Sequence, residues 1–331
     1  RCEEDMLLRW MFYTNWEERI SFGYDVIKRR SREFGADSPE VASVEVEQSL
    51  CLGGVKRNEE ATKAAEHCVP ILTASEGRNS RGTAYAIANL ARCYAAGGKS
   101  KEAVRLLAEC CPNMQDDTYV AMLLAALQVW FRDHDGYGKT RDMMIQFGVG
   151  EAEGRSPVPN ILRRIVHLAS LEAFSDKRQI NALKSLLDAA DEVEARQKEV
   201  LNPRNLKNRF IEGLYYLRAG DLRLALERFD QRRAELEGAS GVDLVMERLC
   251  LDFYKSVALC RDGRKAEAEA VFQKARDANR WWQTSEDEPL LNYWMSSGEK
   301  IEIWLSFREA AKELGLDPMV EQRKSIESQK K

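Results

Sequence analysis

The sequence predicts an all-α chain built from successive antiparallel helical hairpins, and three observations carry that prediction. Helix breakers are scarce, with 8 prolines and 20 glycines in 331 residues. The dominant Ala, Leu, Glu, Arg and Lys all favour helix. Strand-like alternation of apolar and polar residues is absent, and one arrangement of small and large residues returns every 42 or 43 positions.

Periodic apolar positions and polar breaks place helices near 2–15, 17–34, 39–54, 57–73, 80–96, 99–111, 116–132 and 137–147. The same signals place the rest near 158–174, 177–199, 204–219, 222–237, 242–262, 265–279, 286–296 and 298–314. Ser38-Pro39, Ser156-Pro157 and Asn202-Pro203 read as helix starts, a capping side chain followed by a proline that needs no N–H partner. The glycine-rich stretch GVGEAEGRSPVPN is the longest break. The expected organisation is therefore an N-terminal array over 1–147, a joint over 148–160, a C-terminal array over 161–314, and a frayed polar tail over 315–331.

Hydrophobic residues make up 44% of the chain and charged residues 31%, as in folded domains. The 50 Lys and Arg against 54 Asp and Glu leave a net charge of −4. That balance provides no footprint for nucleic acid. No apolar run approaches the ~18 residues that span a bilayer, and no signal peptide is visible, so a soluble chain without membrane insertion is expected. Its start at Arg1 suits a segment of something longer.

The eight cysteines are Cys2, Cys51, Cys68, Cys93, Cys110, Cys111, Cys250 and Cys260. No C-x-x-C pair occurs, and His67, His134 and His167 make no zinc pattern with them, so no metal site is expected. Thiols on apolar helix faces behave as small hydrophobes, which points to a reducing, cytoplasmic location.

The recurrence is clearest in three places. A small residue (Ala91, Gly213, Ser256) is followed three positions on by a large one (Tyr94, Tyr216, Leu259). Seven positions after the small residue comes glycine (Gly98, Gly220, Gly263), then alanine (Ala103, Ala225, Ala268), then an apolar anchor (Leu107, Phe229, Phe272). The small residue lets two helices approach, the glycine ends the first in a left-handed turn, and the alanine sits where the second crosses it.

This spacing resembles the tetratricopeptide repeat, and its 42-residue period looks like the longer variant of kinesin light chain. DHDGYGKTRDMMIQFG, GLYYLRAGDLRLALERF and the tryptophan-rich WWQTSEDEPLLNYWMSSGEKIEIWLSF follow in an order similar to the C-terminal tetratricopeptide region of planctomycete-type bacterial serine/threonine protein kinases. The kinase signatures themselves, a Gly-rich loop, HRD and DFG, are missing. The resemblance implies an α-solenoid, a right-handed superhelix of hairpins. It also implies a non-enzymatic scaffold or sensor module for a protein or peptide, possessing neither catalytic residues nor a cofactor. An array that binds a ligand or peptide and changes curvature is the alternative.

Carrying the family's groove positions onto this chain gives Tyr85, Asn89 and Arg92, then Lys207 and Arg218, then Tyr254 and Arg261. Glu47, Ile211 and Tyr254 stand where Asn89 would recur, which argues against a carboxylate clamp. Trp281, Trp282, Trp294 and Trp304 are expected to cover the open end of the last repeat, and Glu286-Asp287-Glu288 to begin a helix.

Two stretches mimic chemistry. Gly97-Gly98-Lys99-Ser100 ends like a phosphate-binding loop, but the first glycine of G-x-x-x-x-G-K-[ST] is replaced by Cys93 and the preceding segment is helical. It reads as the turn between two helices, with Ser100 capping the second. His67-Cys68 are adjacent, so on a helix they point about 100° apart and cannot act as base and nucleophile.

Overall fold

The computed structural model describes residues 15–154, 157–174, 176–196, 208–237, 241–279 and 299–328. All regular structure among them is helical, so the all-α prediction holds. The chain divides into two compact units after Leu124. The first holds α1 (Trp16–Phe34), α2 (Pro39–Gly54), α3 (Asn58–Glu76), α4 (Arg81–Ala96), α5 (Ser100–Cys110) and the start of α6 (Thr118–Trp130). The second holds the rest of α6, then α7 (His134–Ala152), α8 (Pro159–Ala169), α9 (Lys177–Arg196), α10 (Asn208–Ala219) and α11 (Leu222–Glu235). It continues with α12 (Val242–Arg261), α13 (Lys265–Ala278), α14 (Glu299–Glu313) and α15 (Pro318–Ser328). The predicted helices over 2–15 and 286–296 and the Asn202-Pro203 start lie outside the described residues.

Capping side chains set many helix starts. Ser38 accepts from Val41 N at 3.3 Å, with Pro39 at the first helical position as expected. Ser80, Asp133 and Asp221 do the same for α4, α7 and α11. At α5 the capping position is Lys99 and Ser100 is the first helical residue, fully buried, so the predicted serine cap is not formed.

Within the hairpins the recurrent small residue is a contact point. A Cβ on Gly213 of α10 would lie 2.6 Å from the Phe229 ring of α11. Ser256 donates through Oγ to Ala268 O of α13 at 2.9 Å, and Ala91, Ala103, Ala225 and Ala268 have no exposed surface. Gly213→Ala is therefore expected to destabilise the chain by about 1–3 kcal/mol through overpacking. A lower urea midpoint with an unchanged slope would show it; an unchanged midpoint would mean that the helices can separate freely.

The turns share one geometry more widely than glycine alone reveals. Among the described residues, a residue at positive φ is six times followed by an N–H that donates to the carbonyl five residues back. The donors are Arg57 to Leu52, Lys99 to Tyr94, Asp133 to Gln128, Asp221 to Tyr216, Arg264 to Leu259 and Leu316 to Ala311, all at 2.8–3.0 Å. The positive-φ residue is Gly98, Gly220, Gly263 or Gly315 in four of them, but Lys56 (65°) and Arg132 (60°) in the other two. This closure satisfies carbonyls at the end of the first helix, and a side chain held in that conformation costs about 1 kcal/mol relative to glycine. The pattern covers the turns α2/α3, α4/α5, α6/α7, α10/α11, α12/α13 and α14/α15.

Three stretches differ from expectation. The short helix over 137–147 is α7, 19 residues long, which continues through the first part of the predicted joint. Gly148 within it is a packing position: a Cβ there would meet Leu186 at 2.8 Å and Ile165 at 3.0 Å. The compact units accordingly divide within α6, not over 148–160. Helix α8 ends at Ala169 rather than 174, where Ser170 Oγ turns back onto Val166 O at 2.7 Å. The polar tail forms α15 as far as Ser328, because Asp317 caps it, Glu321 pairs with Arg276, and Ser325 Oγ donates to Arg276 O.

In the first unit His67 bridges two carboxylates, with Nδ1 2.6 Å from Glu45 and Nε2 3.0 Å from Asp37. The Glu45 and then the Asp37 hydrogen bond raise its pKa above the usual value. With the folded value raised, the stabilisation is complete below the unfolded pKa of about 6.5 and is lost as pH rises through the folded value. The side chain is 40% exposed, so screening limits the effect to about 0.5 kcal/mol. The stability gap between the native chain and His67→Gln is expected to narrow between pH 5.5 and pH 8.5; a constant gap would contradict the bridge.

Candidate functional site

The predicted groove residues are distributed unevenly. Asn89 is fully buried and donates to Val46 O at 3.0 Å and Ser49 Oγ at 3.3 Å, so its amide joins α4 to α2 instead of facing a partner. Tyr85 is half-buried, and burial pushes its hydroxyl pKa well above the usual value. Arg92 is half-buried and lies 3.6 Å from Asp117. Lys207 lies outside the described residues.

In the second unit the predicted residues do meet a helix, and it is the chain's own α14. Arg218, 2% exposed, donates from Nε to Ser170 O (2.8 Å), from Nη2 to Leu171 O (3.1 Å), and in a fork to Glu309 (2.5 and 2.7 Å). Burial disfavours the guanidinium charge, but Glu309 more than offsets it and its pKa rises. Arg261 holds Glu309 (3.1 Å) and Glu313 (2.5 Å). Tyr254 is fully buried with its ring under Arg218 at 5.4 Å.

Other helices grip α14 as well. His167 of α8 lies 2.7 Å from Glu302, Trp130 of α6 packs on Trp304 at 5.9 Å, and Phe307 stacks on Phe272 at 5.5 Å. Ile301, Trp304 and Phe307 are all buried, on the shared face expected for them. Trp281, Trp282, Trp294 and the 286–288 acidic run lie outside the described residues.

What remains open in this unit is a cavity of about 430 Å³ beside α14. It lies where the C-terminal ends of α6, α8, α10 and α12 converge. Val129, Leu171, Ala173 and Leu305 supply its apolar surface, and Arg132, Arg218, Arg261, Arg308 and Lys312 its cations. Glu172 and Glu309 line it too, and Arg261 also pairs with Glu313. His134 adds an imidazole 3.0 Å from Glu172.

Helix C-terminal carbonyls would ordinarily repel an anion here, but guanidinium groups cover several of them. Arg308 donates to Val129 O (3.2 Å) and Trp130 O (3.4 Å), and Arg141 to Ala173 O (3.1 Å). Arg218 covers Ser170 O and Leu171 O. The arrangement sets these guanidinium groups beside an apolar wall. Of its cations, sequence reasoning placed Arg218 and Arg261 but missed Arg132, Arg308 and Lys312. The i, i+4 spacing of Arg308 and Lys312 was a weak signal. Arg132 had none, because it occupies the turn position that glycine fills elsewhere.

A second cavity of about 420 Å³ between α11, α12 and α13 is lined by opposed charges that pair with each other, Lys255 with Asp230 and Arg233 with Asp252 at 3.1 Å. The sequence mimics of chemistry are absorbed by packing. Lys99 Nζ sits 5.0 Å above the Tyr94 ring in the α4/α5 turn. Cys68 is buried, donates to Ala65 O, and has its pKa pushed up to about 12 by burial. Among the described residues no cluster of metal-ligating side chains occurs, and no helix is long and apolar enough to cross a membrane.

No model of a known protein family matches the chain, and no curated protein matches it.

Proposed function

We propose that this chain is a tetratricopeptide-type α-solenoid and a non-enzymatic scaffold for protein or peptide partners, the interaction region of a signalling protein. The observation that carries the reading is the recurrence of one hairpin geometry. Among the described residues six turns close by the same backbone bond, and small residues mark helix crossings. The first helices of successive hairpins also touch, α2 with α4, α10 with α12 and α12 with α14. Arrays of this kind bury a continuous core while leaving extended surface for partners. Buried free thiols at Cys51, Cys68, Cys93, Cys110 and Cys111 support a reducing, cytoplasmic setting.

Panning a random peptide library on the purified chain tests this. The expected result is a set of peptides that bind saturably and compete with one another. Recovery no better than on the same chain unfolded in urea would overturn the scaffold reading.

A further inference from the structure

We propose that the cavity between α11, α12 and α13 binds a free α-amino acid with a small aliphatic side chain, at a site separate from any peptide-binding surface. Its lining is balanced in charge, with Arg233, Lys255 and Lys274 against Asp230, Glu237 and Asp252. A ligand of one sign is repelled by half of such a lining, whereas a zwitterion can meet both signs at once.

Not all of these charges are committed. Lys255 pairs with Asp230, and Arg233 donates through Nε to Asp252 Oδ1 at 3.1 Å. Among the described residues the Lys274 ammonium and the Glu237 carboxylate have no partner, nor have the two Nη groups of Arg233 and Oδ2 of Asp252. One cation and one anion therefore remain uncommitted at exposed positions, Lys274 on α13 and Glu237 just beyond α11.

The deeper carboxylate is Asp252, whose side chain is 14% exposed. Burial raises its pKa although Arg233, Lys255 and Lys274 oppose the shift. It is short of donors, and an ammonium group brings three. The carboxylate of the ligand then falls to Lys274 and the free edge of the Arg233 fork.

Size and apolar surface narrow the class further. The volume of about 420 Å³ falls within the range of ligand pockets. Ala234 and Val271 supply the apolar lining, which suits a short aliphatic side chain. Because α11 closes one hairpin and α12 and α13 form the next, a bound ligand bridges the two and favours the arrangement that keeps them together.

Thermal unfolding of the full chain with L-alanine, L-valine or L-leucine, each beside its decarboxylated amine and its N-acetyl derivative, tests the site. At least one amino acid is expected to raise the melting temperature saturably. Its amine and its N-acetyl derivative should need at least about tenfold higher concentration for the same rise, the weight of one charge-assisted hydrogen bond. Lys274→Ala and Glu237→Ala each remove an exposed side chain, so each variant should stay folded but lose most of the rise measured from its own ligand-free melting temperature.

No rise with any of the three amino acids, equal rises with the amine or the N-acetyl derivative, or a response that survives both substitutions would overturn the proposal. Library panning with peptides is read independently of these outcomes, so failure of this inference and failure of the scaffold reading stay distinguishable.

Discussion

Replacing Arg218 with methionine is expected to destabilise the second unit by about 3 kcal/mol. The substitution keeps an unbranched apolar stem but removes the donors to Ser170 O, Leu171 O and Glu309. Two buried carbonyls at the end of α8 lose their partner. Glu309 is not stranded, because Arg261 also holds it and its side chain keeps 23% exposure. For a unit of this size the loss corresponds to a fall in melting temperature of roughly 6–12 °C. Arg218→Lys is expected to recover less than half of it, since one ammonium cannot reach two carbonyls and a carboxylate arranged around a planar fork. A loss below about 1 kcal/mol in urea unfolding would mean that water replaces the guanidinium at those carbonyls.

Arg232→Met should be more costly still. Arg232 forks onto Glu247 through Nε (2.8 Å) and Nη2 (3.2 Å), joining α11 to α12, and the Glu247 side chain is only 3% exposed. Removing the arginine strands a buried carboxylate, for which about 3–5 kcal/mol is expected. The double substitution Arg232→Met with Glu247→Leu should return most of that loss, because no charge is then left without its partner. A double-mutant cycle measures the coupling directly. Additive losses would show that the pair does not act as a unit.

Much of the fold was legible because helix starts and stops are local events. Residues 39–54 read as a helix and α2 is Pro39–Gly54, since Ser38, Pro39 and the apolar period all speak within one short window. The alternation of Ala91, Gly213 and Ser256 with later alanines marked helix crossings for the same reason, as spacing on one helix sets its face. Less legible were the turns at Lys56 and Arg132, where no glycine marks the positive φ that accompanies the same backbone bond. Gly148 of α7 also misled, because a glycine that breaks a free helix is tolerated when a neighbour fills the space, as Leu186 and Ile165 do there.

The candidate site was legible only in part. Arg218 and Arg261 were singled out from the sequence, but their partners come from far along the chain, Glu309 being 91 residues from Arg218. Asn89 shows the same limit within the first unit, its amide committed to Val46 O, 43 residues earlier. By itself the sequence determined that this protein is helical, where most helices lie and which of their faces pack, because propensity, capping and periodicity act over a few residues. Only the tertiary structure decided which polar groups face inward. It did so by seating α14 against α6, α8, α10 and α12, which brought Glu309 and Glu313 onto Arg218 and Arg261. That outcome depends on which distant carboxylates and carbonyls come within hydrogen-bond reach, and no local window of sequence contains that information.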